Sequence, residues 1–162
     1  MPLPTTEVVS AGPHIDARTP LAAAAFLLDG QLAAIEAVRS AMPALSSGAQ
    51  RMASAIRAGH SIHYAAAGSS GLMGLADASE LRGTFGISSD QIYIHMAGGV
   101  PVDAHMPGDT EDDKTAVTQI AATISKGDVV IVLTASGTTP FALAVAHAAQ
   151  QKGASVIGIA NN

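Results

Sequence analysis

Residues Tyr64–Glu80 read Y-A-A-A-G-S-S-G-L-M-G-L-A-D-A-S-E. A run of small apolar residues stops at Gly68, two hydroxyls follow, and Gly71 and Gly74 lead into a helical pattern closing on Asp77 and Glu80. This is the pattern of a buried parallel strand handing over to a helix around an anion. The glycines, Gly71 among them, let backbone approach the ligand, Ser69 and Ser70 donate hydrogen bonds, and the helix N-terminus adds partial positive charge. The turn is neither G-x-x-x-x-G-K-[ST] nor G-x-G-x-x-G, and no lysine lies near it, so nucleoside triphosphates and dinucleotides lose support. A monophosphate is the ligand it fits.

The pattern repeats downstream. Ser61–Ala67 reads as a strand and Leu72–Leu81 as its helix; Gln91–Met96 is the second strand, ending at Ala97-Gly98-Gly99. Asp112–Ser125 reads as a helix opened by Glu111-Asp112-Asp113, where acids complement an N-terminus. Asp128–Leu133 is the clearest buried strand, and it opens into Thr134-Ala135-Ser136-Gly137-Thr138-Thr139 before a helix beginning at Pro140 and a fourth strand, Ser155–Ala160. Strands alternating with helices at this length predict an α/β fold, a parallel sheet with right-handed crossovers. Both hydroxyl-rich loops fall at carboxyl ends of strands, where such sheets bind ligands.

Upstream, residues 1–18 read as an extended arm and 19–58 as a helical segment. Thr19-Pro20 marks a start, Pro43 breaks or kinks the run, and a second helix ends at Gly59. The apolar run Leu21–Leu28 is too short to span a bilayer, and no basic n-region precedes it, so a cytoplasmic protein without membrane attachment is expected. A formal net charge of -5 argues against a nucleic-acid partner. With no cysteine, disulfides, thiolate catalysis and zinc–thiolate sites are excluded. The six histidines show no metal-ligand spacing; His95 and His105 are the two that could approach the carboxyl edge of the sheet. Glu80 and Glu111 are the candidate general acid and base, a role that requires burial to separate their proton affinities.

Asp77-Ala78-Ser79-Glu80, Thr84-Phe85-Gly86, Ala97-Gly98-Gly99, Glu111-Asp112-Asp113, Ala135-Ser136-Gly137 with Thr139-Pro140, and Gly158-Ile159 with Asn161 occur in this order. Together they resemble the N-acetylmuramic acid 6-phosphate etherases of the sugar isomerase (SIS) domain superfamily. The resemblance implies a three-layer, flavodoxin-like SIS domain over 59–162, without the C-terminal part of the family, and a cytoplasmic homodimer. It implies a lyase that opens the sugar, removes the C2 proton, expels the lactyl ether from C3 and hydrates the product to N-acetylglucosamine 6-phosphate and D-lactate. Glu80 would protonate the leaving oxygen and Glu111 would take the C2 proton. Phosphate and substrate would fall to Ser69, Ser70, Gly71, Thr134, Ser136, Gly137, Thr138 and Thr139, with no metal and no organic cofactor. The chain carries Leu72 where the family has arginine, and Thr138 where it has a basic residue. Two other functions suit the same resemblance: a non-catalytic sugar-phosphate regulator, and an aldose–ketose sugar-phosphate isomerase, for which one carboxylate base suffices.

Overall fold

The computed structural model of the chain describes Val8 and residues 14–161. A 3-10 turn at Ile15–Ala17 precedes helix α1 (Pro20–Arg57), and the remaining elements are β1 (Ile62–Ala66), α2 (Gly68–Phe85), β2 (Ile92–Met96), α3 (Val117–Thr123), β3 (Val129–Leu133), α4 (Pro140–Gln151) and β4 (Ser155–Ile159). Most of the arm expected over 1–18 lies outside the described residues. Two units divide within α1: Val8–Gln50, and residues from Arg51 onward. The break expected at Pro43 does not occur, since α1 passes through it as one helix of 38 residues. Pro43 withdraws one amide donor, but Ala41, Met42, Ala44 and Leu45 around it are strong helix formers and keep the ladder going on either side.

In the second unit the four strands are all parallel, in the order β2-β1-β3-β4. Side chains alternate across the sheet. Ile62, Tyr64, Val129 and Ile131 point to one face, where Ala78 and Leu81 of α2 and Ala55 of α1 complete a buried cluster. Ala65, Val130 and Val132 point to the other, against Ile120 of α3 and Phe141, Ala142, Val145 and Ala149 of α4. Three layers result, as the family resemblance implies. The connection through α2 leads from β1 to β2 on one side, and the connection through α4 leads from β3 to β4 on the other. The switch point therefore lies between the carboxyl ends of β1 and β3.

Helix α2 begins earlier than the periodicity indicates, so Gly68-Ser69-Ser70-Gly71 forms its first turn instead of a loop. Its glycines serve packing: Gly71 and Gly74 are buried, and a Cβ on Gly71 would fall 2.8 Å from Met96 Cγ. The helix approaches the sheet closely because these positions have no side chain. Helix α3 is shorter than expected. Asp113 turns its carboxylate onto the Thr115 amide, 2.8 Å away, and the acids Glu111-Asp112-Asp113 form a turn ahead of the helix.

A polar chain crosses the α3/α4 face. Asp128, buried, accepts the amides of Ser61 (2.9 Å) and Ser125 (2.7 Å) and meets His63 Nε2 at 3.3 Å. His63 Nδ1 meets His95 Nε2 at 3.0 Å, and Tyr93 stacks on the His63 ring with centroids 4.6 Å apart. An ionised Asp128 only accepts, so His63 donates to it from Nε2 and accepts from His95 at Nδ1. Burial holds both imidazoles below the ordinary histidine range, His95 down to about 4. His95 stands next to last in β2, near the carboxyl end of that strand, and its ring is engaged with His63.

Two outcomes follow from these contacts. Gly71→Ala is expected to cost about 1–3 kcal/mol in urea unfolding, with the penalty reduced in a Met96→Ala background. Because the folded-state values of His63 and His95 are depressed, the unfolded chain binds protons first. Stability is complete above pH 6.5 and is lost as pH falls toward about 4, on the order of 3 kcal/mol for His95. Urea midpoints recorded from pH 8 to 4 should show that slope, and His95→Gln should flatten it.

Candidate functional site

Neither helix at the switch point is capped by its own N-terminal side chain. Ala67, the N-cap of α2, has no side chain able to accept an amide. The N-cap of α4 is Thr139, and its hydroxyl bonds Thr134 Oγ1 at 2.7 Å instead of the helix. Four amides at a helix start lack intrahelical partners. In α4, Pro140 has none to offer and Phe141 N donates to the Glu111 carbonyl at 3.0 Å. In α2, Gly71 N donates to Ala67 O at 3.2 Å, which leaves the amides of Gly68, Ser69 and Ser70 as the first-turn donors. An anion at the start of α2 meets those donors and the positive end of the dipole.

Two clefts flank this helix start. One, of about 260 Å³, is lined by Ser69, Ser70, Met73, Leu133, Thr134, Ala135, Ile159 and Asn161. Its position is held by main-chain bonds: Thr134 N to Ile159 O (3.1 Å) and Asn161 N to Ala135 O (3.0 Å). The other, of about 370 Å³, is lined by Gly68, Pro107, Gly108, Asp109, Glu111 and Asp112. Gly68 joins them. It adopts φ +56°, and a Cβ there would come within 3.3 Å of Glu111 Oε1. Thr110 Oγ1 donates to Ala97 O at 3.3 Å just before Glu111. The Glu111 residue is thus tied through its backbone to the start of α4 and brings its carboxylate to the start of α2.

The residues expected at the site divide into three groups. Ser69, Ser70 and Thr134 share the first cleft, and Glu111 lies across Gly68 from them. Ser136 and Thr138 bond each other at 2.8 Å through their hydroxyls, and Thr139 supports Thr134 from behind; with Gly137 they shape the loop without lining the cleft. Gly71 is buried against Met96. Glu80 is elsewhere. It is exposed on α2, where Oε2 accepts the Thr84 hydroxyl at 3.0 Å, twelve residues and so about 18 Å along the helix from Gly68. Its neighbour Asp77 accepts the Tyr64 hydroxyl at 2.5 Å, which together with burial pushes the phenol upward and ties α2 to β1. Within one chain, Glu80 and Glu111 do not meet. Asn161 and Met73 were missed by sequence reasoning; the fourth strand's carboxyl end, one strand beyond the second hydroxyl loop, was the signal for Asn161.

Known proteins agree with this architecture. An N-acetylmuramic acid 6-phosphate etherase of Deinococcus radiodurans is 35% identical over 150 residues, 91% of this chain and 49% of the relative. That of Burkholderia lata is 40% identical over 127 residues, 77% of this chain and 41% of the relative. The chain spans about half the length of the curated relatives it matches or less. Among solved structures, a phosphoheptose isomerase from Francisella tularensis superposes with a TM-score of 0.66 at 20% identity, over 88% of this chain and 76% of the other. The family described as the SIS domain matches residues 29–161, and the chain belongs to it.

Proposed function

We propose that this chain forms the phosphate-binding and proton-abstracting part of an etherase acting on N-acetylmuramic acid 6-phosphate. The observation that carries the reading is the position of Glu111, whose backbone carbonyl accepts the Phe141 amide at the start of α4 and whose carboxylate lies beside Gly68 at the start of α2, near the hydroxyl cleft at the switch point. The etherase relatives supply the substrate. The sugar phosphate would place its phosphate against the α2 amides, Ser69, Ser70 and Thr134. Glu111 would then take the C2 proton of the open-chain aldehyde, the electron pair forming the C2–C3 double bond as the C3–O bond breaks. The departing lactate oxygen needs a proton, and water must afterwards add at C3. Glu80 is the proposed donor of that proton, and the distance along α2 requires it to come from a second copy of the chain. Acid–base side chains suffice for every step, and no cofactor is invoked. Both carboxylates are exposed in a single chain, so the desolvation that separates an acid from a base is assigned to substrate and partner.

One observation favours a second reading. A single chain brings one of the two proposed carboxylates to the switch point, and one base is enough to move a proton between C1 and C2 of an aldose–ketose pair.

Purified protein incubated with N-acetylmuramic acid 6-phosphate should release D-lactate. Glu111→Gln and Glu80→Gln should each lower the rate about 100-fold or more. Mixing the two inactive variants should restore about a quarter of wild-type activity, since half the dimers are then mixed and one of their two sites has both acids. Folded wild type that binds sugar phosphate but releases no lactate would refute the lyase. Interconversion of an aldose phosphate and its ketose phosphate, supplied as a separate substrate, would establish the second reading. Ser70→Ala should weaken phosphate binding by about tenfold, the loss of one hydrogen bond to a charged group, as read by calorimetric titration.

A further inference from the structure

Between β2 and Glu111 the chain runs without helix or strand through Val100-Pro101-Val102-Asp103-Ala104-His105-Met106. The neck of this loop is closed. Pro107 and Thr110 pack so tightly on Gly98 that a Cβ there would fall 2.5 Å from Pro107 Cβ, and Gly99 N donates to Met96 O at 2.8 Å. Just past the neck, Pro107, Gly108 and Asp109 line the cleft of about 370 Å³ that also holds Glu111.

The tip of the loop is turned out to solvent. Val102 is 99% exposed, and Val100 and Met106 are exposed with it. The Asp103 carboxylate accepts the His105 amide at 2.8 Å and stands 3.4 Å from His105 Nδ1, so these polar contacts stay within the tip and hold it as a turn. Among the described residues no hydrogen bond or ion pair ties 100–106 to another element. Isolated apolar residues on a surface need no account, but here three share a seven-residue loop whose neck lines the cleft of the proposed base. Gly99, at φ +89° with open space where a Cβ would stand, gives the tip a hinge. Three residues of extended chain from neck to tip span about 10 Å, enough to cross the mouth of a cleft of this volume. Glu111 itself is exposed. A base left in water keeps an ordinary proton affinity, and the reacting carbon beside it stays open to side reactions.

We propose that loop 100–106 is a lid. When a sugar phosphate occupies the start of α2, the tip swings about Gly99 and lays Val102, with Val100 and Met106, over the carbon chain of the sugar, shutting water from Glu111. The inference rests on the phosphate site and the base assigned above, and it adds this loop to the substrate and partner that desolvate the base.

The chain has no tryptophan, so Val102→Trp puts a single reporter on the tip, at a position exposed enough to leave folding untouched. N-acetylglucosamine 6-phosphate should shift its emission to shorter wavelength and reduce acrylamide quenching severalfold. Inorganic phosphate, which fills the anion site but brings no carbon chain to cover, should change neither. In the unsubstituted protein the same sugar phosphate should slow amide hydrogen exchange across 100–106. Val100→Ser, Val102→Ser and Met106→Ser combined should lower kcat for D-lactate release about tenfold, the scale of one valine's burial lost from the closed state, with inorganic phosphate binding unchanged by calorimetric titration. The lid is overturned if the sugar phosphate binds by calorimetry while the introduced tryptophan stays exposed and exchange over 100–106 is unaltered; lactate release by that protein leaves the etherase reading standing. An equal response to inorganic phosphate overturns it, as does a triple serine variant with wild-type kcat. A tryptophan shielded before ligand is added, to an extent that depends on protein concentration, assigns the tip to another molecule and overturns it too. Closure over the sugar with no lactate released keeps the lid and refutes the lyase alone. Failure to bind the sugar phosphate at all overturns the site on which both rest.

Discussion

The carboxylate of Asp128 sets the frame on which the site is built. It is buried at the amino edge of the sheet and accepts amide protons from Ser61, just before β1, and from Ser125, just before β3. An acceptor shared between two segments fixes their relative positions, and Ile62 pairs with Val129 in consequence. Four residues later the two strands end side by side at Ala66 and Leu133. Their following turns start level, so the N-termini of α2 and α4 open at the same edge. Removing Asp128 would leave the buried His63 without its acceptor and free the amides of Ser61 and Ser125, a loss that costs more than the bonds themselves contribute.

What the edge then offers is a division of labour. Helix α2 arrives with unsatisfied amides because Ala67 cannot cap it, and Gly71 and Gly74 allow it to lie close on the sheet. Helix α4 arrives with its start closed by Pro140 and by the Glu111 carbonyl. One helix is thus free to hold an anion, and the other is used to hold Glu111. The Glu111 carboxylate and the hydroxyl cleft lie on opposite sides of Gly68. Leu72, exposed on the second turn of α2, adds no charge there, so the start of this helix offers an anion only amides and hydroxyls.

Much of this was legible in the residues, for physical reasons that also mark where legibility stops. Val129–Leu133 is apolar on both faces and reads as a buried strand, and the Gly-rich and hydroxyl-rich turns do follow the carboxyl ends of β1 and β3. Periodicity could not show that Gly71 faces Met96, because a glycine reads alike whether it admits a ligand or a helix. Nor could it separate Glu80 from Glu111: both stand in acidic motifs, and only the helix axis shows that one lies far from the edge. Pro43 lowers helix propensity locally, but the alanine-rich residues around it outweigh that effect. His63 was hidden because a buried histidine in an apolar strand gains its meaning from Asp128 and His95, which are distant in sequence and adjacent only in the sheet.

The central claim is that Glu111 is a base at C2. Proton NMR of N-acetylglucosamine 6-phosphate in deuterium oxide tests it without depending on the leaving group. The wild-type protein should wash out the C2 proton signal, and Glu111→Gln, folded and still binding the sugar phosphate, should leave it intact. Equal exchange by both proteins would contradict the account.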